Sequence, residues 1–151
     1  TMHKVAPQIE DNISIPIIHI ADATATRLLD AGVKKVGLLG TRFTMEQDFY
    51  KGRLKDRFGI DVLVPNIDEQ AVIHNVIYNE LCLGVINSSS RQHYLDIINR
   101  LHNLGAEAII LGCTEIAMLI KQNHTHIPLY DTTEIHASSA VEFALECLNE
   151  K

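Results

Sequence analysis

Five short apolar runs alternate with helical patterns along the chain, and no two-residue hairpin turn joins any pair of them. They are Ile15–Ile20, Val36–Gly40, Ile60–Pro65, Ala108–Leu111 and Ile127–Asp131. Strands separated in this way pair through helical crossovers, which makes them parallel. The runs are continuously apolar rather than alternating, as strands buried on both faces are. The chain therefore reads as an α/β protein built on a parallel sheet.

The helical segments carry their own punctuation. Met2 to Asp11 reads as a short helix, and Asp22 as the cap of a second that bears Ala25, Leu28 and Leu29 and stops at Gly32. Thr44 and Gln47 have capping-box spacing for a helix that carries Met45 and Phe49 and ends near Gly59. Asp68 opens a long helix through Val72, Val76 and Leu83 to Gly84, and the cluster Ser88 to Ser90 starts another with Tyr94, Ile97, Ile98 and Leu101 on one face. A polar loop at 122–125 precedes the last run, and a final helix places Ala137, Ala140, Val141, Ala144 and Leu148 together.

Charge narrows the function classes. With 19 acidic and 13 basic residues the 151-residue chain has a formal net charge of -6, which argues against nucleic acid or an anionic membrane as partner. An anionic small substrate has to be held by local donors against that field. No run is long enough to span a membrane, and no signal-peptide pattern opens the sequence. Cys82, Cys113 and Cys147 are odd in number and widely spaced, with no zinc-type pair among them, which predicts a reduced, cytoplasmic protein.

Chemistry is expected where strand ends turn polar, at 19–24, 41–44, 113–115 and 131–133. In Ala108-Ile109-Ile110-Leu111-Gly112-Cys113-Thr114-Glu115-Ile116 an apolar strand breaks at glycine and a cysteine follows at once. At the carboxyl end of a strand and in the first turn of a helix, Cys113 would lie where open α/β sheets bind ligands, its thiolate favoured by the helix dipole. A small buried thiol fits the same pattern. Gly40-Thr41-Arg42-Phe43-Thr44 offers two hydroxyls and fresh helix N–H groups suited to a carboxylate, or simply an N-cap at Thr44. It lacks the spacing of a triphosphate-binding loop. His124 and His126 have no cysteine or carboxylate ligands nearby, so no metal site is expected. Cys82 and Cys147 read as core or helix-end residues, Tyr78 and Tyr94 as packed, His136 as partly buried and Arg91 as solvated.

Gly112-Cys113-Thr114-Glu115, taken with Gly40-Thr41-Arg42-Phe43-Thr44 and the stretch onward to Tyr50, resembles the aspartate/glutamate racemases, amino-acid racemases that work without pyridoxal phosphate. Thr1 to Lys4, His19 to Thr24 and Asp131-Thr132 carry the likeness to both ends of the chain. The resemblance implies two similar α/β lobes with the substrate between them, and one cysteine from each lobe facing opposite sides of the substrate α-carbon. One thiolate takes the α-proton and the other thiol returns one from the far face, because a single base would only restore the starting configuration. It also implies that Cys113 is the acid/base of the second lobe, that Thr1, Thr41, Thr44 and Thr114 line the substrate, and that neither metal nor cofactor takes part.

The family's other cysteine belongs in a C-x-N-T motif of which Thr1 looks like the last residue, so most of the first lobe is expected to be absent from this chain. Residues 1–33 then read as what remains of the first lobe and the crossover, 34–122 as the complete second lobe, and 123–151 as a strand and helix returning to the first. The partners implied are a small amino acid and a second copy in a homodimer, with no nucleic acid or membrane. The expected activity is racemisation of aspartate, glutamate or a similar amino acid. A remnant that only binds a small carboxylate, a hydantoin racemase and a maleate isomerase stay open beside it.

Overall fold

The computed structural model describes residues 2–149, and side chains from residue 3 to residue 146. Helix α1 (Ala6–Glu10) follows a single 3-10 turn, and an irregular stretch leads to α2 (Ile20–Asp30). Strand β1 (Lys35–Leu39) is followed by α3 (Arg42–Glu46) and α4 (Asp48–Phe58), and β2 (Asp61–Leu63) by α5 (Ile67–Asn79) and α6 (Ser88–Asn103). Then come β3 (Ala108–Leu111), α7 (Ile116–Leu119), β4 (Leu129–Asp131) and α8 (Thr132–Asn149). The four strands are all parallel, in the order β2-β1-β3-β4. The α/β reading of the sequence holds.

Alternate strand residues feed two cores, as the two-residue period requires. Leu39, Ile109 and Leu111 meet the buried faces of α5, α6 and α7, where Ile73, Ile77, Tyr94, Ile98 and Leu101 lie. Val36, Leu38, Ala108 and Ile110 point the other way, against Leu28 of α2 and Tyr50 and Leu54 of α4. Helices therefore cover both faces of the sheet. The segments 1–33 and 123–151 meet through α2 and α8, which pack together. β4 pairs with β3 at the edge of the sheet.

Several local expectations change. Ile15–Ile20 forms no strand: residues 15–19 are irregular, Ile15 is 71% exposed, and among the described residues no strand lies alongside to supply a ladder. α2 is capped by His19, whose Nδ1 accepts the Ala21 N–H at 3.1 Å, while Asp22 sits in the first turn and pairs with Arg53. Thr44 lies inside α3, whose N-cap position is Thr41. α5 is capped by Asn66 with Glu69 in a reciprocal capping box, two residues before the expected Asp68, and it breaks before a 3-10 turn at Leu81–Leu83. Among the described residues no helix is long and apolar enough to cross a membrane.

Candidate active site

The chain leaves β1 toward β2 on one side and returns past it to place β3 on the other. The point where the order reverses lies between β1 and β3, and a crevice at the carboxyl ends of the strands is the usual ligand site in such sheets. Gly40-Thr41 leaves β1 there and Gly112-Cys113 leaves β3. The Gly112 N–H donates to the Leu39 carbonyl at 2.7 Å, extending the ladder by one bond to lock the two turns together.

Both glycines are needed for this approach. A Cβ on Gly112 would lie 2.9 Å from the Leu39 carbonyl oxygen, and one on Gly40 would lie 3.1 Å from the Thr44 side chain and 3.4 Å from the Gly112 oxygen. The Thr44 methyl, 3.5 Å from that Gly112 position, overlies both turns. Thr41, Thr44 and Cys113 are thereby brought to one place. Thr41 Oγ1 and Thr44 Oγ1 lie 3.2 Å apart and share one hydrogen bond. The helix N–H groups that the sequence offered beside them are largely consumed: the Thr44 and Met45 amides donate to Thr41 O, and the Arg42 amide to His74 Nδ1 at 3.3 Å.

Cys113 is half-buried, and its thiol donates to Glu115 Oε2 at 2.9 Å. Thr114 Oγ1 donates to the same oxygen at 2.6 Å. Thr114 is exposed and its hydroxyl is turned to Glu115, so the turn itself takes up the group expected to face the substrate. Burial and the adjoining Glu115 carboxylate push the Cys113 thiol up to about 12. The bonds from Cys113 and Thr114 hold Glu115 below the usual carboxylate range. The expected thiolate at a helix N-terminus is thus corrected. α7 starts at Ile116 and is only four residues long, so Cys113 precedes it, and burial, then the Glu115 carboxylate, favours the protonated thiol.

The other singled-out residues fall elsewhere. Thr1 lies outside the described residues, as does the side chain of Cys147. Cys82 is exposed, on the 3-10 turn at Leu81–Leu83 that packs against α7. Tyr94 is fully buried, its hydroxyl donating to Ile73 O at 3.0 Å, whereas Tyr78 is half exposed and packs on the His74 ring. Arg91 is half-buried, with Nε donating to Leu119 O at 2.9 Å, instead of being solvated. The His136 ring donates through Nε2 to Ile18 O at 2.7 Å. His124 Nδ1 accepts the Lys121 amide, and the His126 ring meets that of His102 edge-on. Among the described residues no three His, Cys, Asp or Glu side chains gather as metal ligands would.

The structure is thus an α/β protein with a parallel sheet covered by helices on both faces, a thiol–carboxylate pair on one strand end and a hydroxyl pair on its neighbour. The chain belongs to the Asp/Glu/hydantoin racemase family, whose profile matches residues 1–140. The broad specificity amino-acid racemase RacX of Bacillus subtilis is 26% identical over 144 residues, which cover 93% of this chain and 60% of RacX. A crystal structure of a Yersinia pestis protein assigned to the Asp/Glu racemases shares 48% identity with a TM-score of 0.92, over 95% of this chain and 63% of that one. An aspartate racemase homologue from Pyrococcus horikoshii shares 34% identity with a TM-score of 0.87, over 94% and 62%. The chain therefore spans about three fifths of the length of RacX and of these two structures.

Proposed function

We propose that this chain carries one acid/base face of a cofactor-independent amino-acid racemase acting on aspartate, glutamate or a similar α-amino acid. The observation that carries the reading is the Cys113–Glu115 pair beside the Thr41–Thr44 hydroxyls at the β1–β3 strand ends. A substrate carboxylate accepts from the two threonine hydroxyls, and the α-carbon then sits over the Cys113 turn. As the α-proton leaves, charge spreads onto that carboxylate, and the same hydrogen bonds strengthen.

Near neutral pH the thiol is protonated, so Cys113 is ready as the proton donor. In the reverse direction the thiol proton first leaves to solvent, and the thiolate then takes the α-proton. Inversion needs a second thiol on the opposite face.

The test uses a polypeptide verified by intact mass at 16.9 kDa, incubated in deuterated water with L-aspartate or L-glutamate. Exchange of the α-proton that depends on Cys113, with L configuration retained, supports one working face. Because one thiol faces one side of the α-carbon, the D enantiomers are run as well, and exchange no faster than in Cys113→Ser with either enantiomer overturns the reading. Exchange with inversion would mean that a second thiol of this chain serves. The family's description includes hydantoin racemases. A 5-substituted hydantoin and maleate are therefore tested in parallel, the latter for fumarate formed without exchange.

A further inference from the structure

α3 is begun in an unusual way. Thr41 occupies its N-cap position with extended backbone, φ -64° and ψ 161°, where a threonine ordinarily turns its hydroxyl onto the helix's own amides. It makes no such bond here. Its Oγ1 is paired with Thr44 Oγ1 instead, at 3.2 Å, and the Arg42 amide is satisfied from another element by His74 Nδ1 of α5 at 3.3 Å. The ring that makes this bond is held on its flank by Tyr78 one turn further along, with centroids 4.7 Å apart. α5 is in turn anchored by its capping box and by the Glu69–Arg100 pair to α6. The bond ties the first turn of α3 to α5. It leaves both hydroxyls of the turn outside the helix's own bonding.

We infer that His74 is a positioning residue for the substrate site: it caps α3 from outside so that the Thr41 and Thr44 hydroxyls stay turned toward a ligand carboxylate. The inference rests on the carboxylate reading of those threonines. Without the imidazole acceptor the Arg42 amide turns to solvent and the first turn of α3 is no longer pinned, which lets the Thr41 hydroxyl turn onto the Phe43 or Thr44 amide as an N-cap threonine ordinarily does. Capping by Thr41 then competes with binding. The bond runs from a backbone N–H to Nδ1, so the proton of neutral His74 sits on Nε2, and replacement by glutamine retains a side-chain acceptor.

The experiment compares wild type, His74→Leu and His74→Gln by amide hydrogen exchange and by titration with L-aspartate as the probe, followed through backbone amide shifts. In His74→Leu the Arg42 amide should exchange at least about ten-fold faster, with the β1 and β3 amides unchanged. Aspartate should bind roughly three- to ten-fold more weakly, the span expected for one lost cap. His74→Gln should recover most of both. Unchanged Arg42 exchange in His74→Leu overturns the inference, as does faster exchange with unaltered aspartate affinity, and in both cases the carboxylate reading stands. If aspartate shifts neither the 40–45 nor the 112–115 amides of the wild type, the carboxylate reading fails and the inference falls with it.

Discussion

At the scale of single residues, protonation decides what the site can do. Cys113 is held as a thiol up to about 12, so α-proton abstraction by its thiolate should accelerate with rising pH through the neutral and mildly alkaline range. Replacing Cys113 by serine should abolish exchange yet leave folding nearly intact, since the swap is close in size; deuterium incorporation and thermal unfolding check the two halves. Linkage gives a second readout. The unfolded thiol loses its proton from about 9 upward while the folded one keeps it, so stability falls as pH rises toward 12, and that fall should be shallower in Cys113→Ser. His19 acts at the other end of the scale. Burial and the nearby Arg53 depress it from 6.5 to about 4, so the unfolded chain takes up a proton over that window and stability falls as pH drops. His19→Asn keeps a capping side chain but cannot titrate there, and its denaturation midpoint should lose most of its slope between those pH values. Thr41→Val should weaken carboxylate binding by roughly 1–3 kcal/mol, the cost of an unpaired polar partner, as read by calorimetry.

At the scale of elements, the two strand ends are held together by backbone, and the glycines permit it. Gly112→Ala sets a Cβ against a carbonyl oxygen 2.9 Å away that cannot swing aside like a side chain. The turn must move, at a cost of about 1–3 kcal/mol for overpacking, and Cys113 moves with it. Urea unfolding should show the lost stability and deuterium exchange a larger loss of activity. The Cys113 strand and the Gly40–Thr44 turn were legible because an apolar run that breaks at glycine into a polar turn needs only local order. The caps were less so. Asp22 and Thr44 have the right chemistry and spacing, yet His19 and Thr41 hold the cap positions, because Asp22 is drawn to Arg53 and Thr44 to its partner hydroxyl. Ile15–Ile20 had the composition of a strand but no neighbour to bond to. His74 was invisible, since its bond to Arg42 spans 32 residues.

At the scale of the whole molecule, net charge and local donors oppose each other. A formal charge of -6 repels the anionic substrate proposed for the Thr41–Thr44 turn. Raising ionic strength from about 10 to 150 mM shortens the Debye length from about 30 to 8 Å and should therefore tighten aspartate binding, against the usual trend for ionic ligands. Calorimetry across a salt series checks the sign. The outer helices bear on the same surface: α8 packs on α2, with Arg27 and Glu142 paired across them at 2.5 Å, and it leaves Val141 and Leu145 more than half exposed.

The sequence by itself determined the fold class, because apolar runs joined only by helical crossovers have to become a parallel sheet with both faces covered. It also marked Cys113, Thr41 and Thr44 as residues at strand ends. What only the tertiary structure decided was their meeting. Strands 72 residues apart in register become neighbours through the order β2-β1-β3-β4, and the two glycines let their turns touch. The protonation of Cys113 was decided there as well. The sequence places a helix start after the cysteine, but burial of the thiol, with the Glu115 carboxylate turned toward it, holds its proton up to about 12.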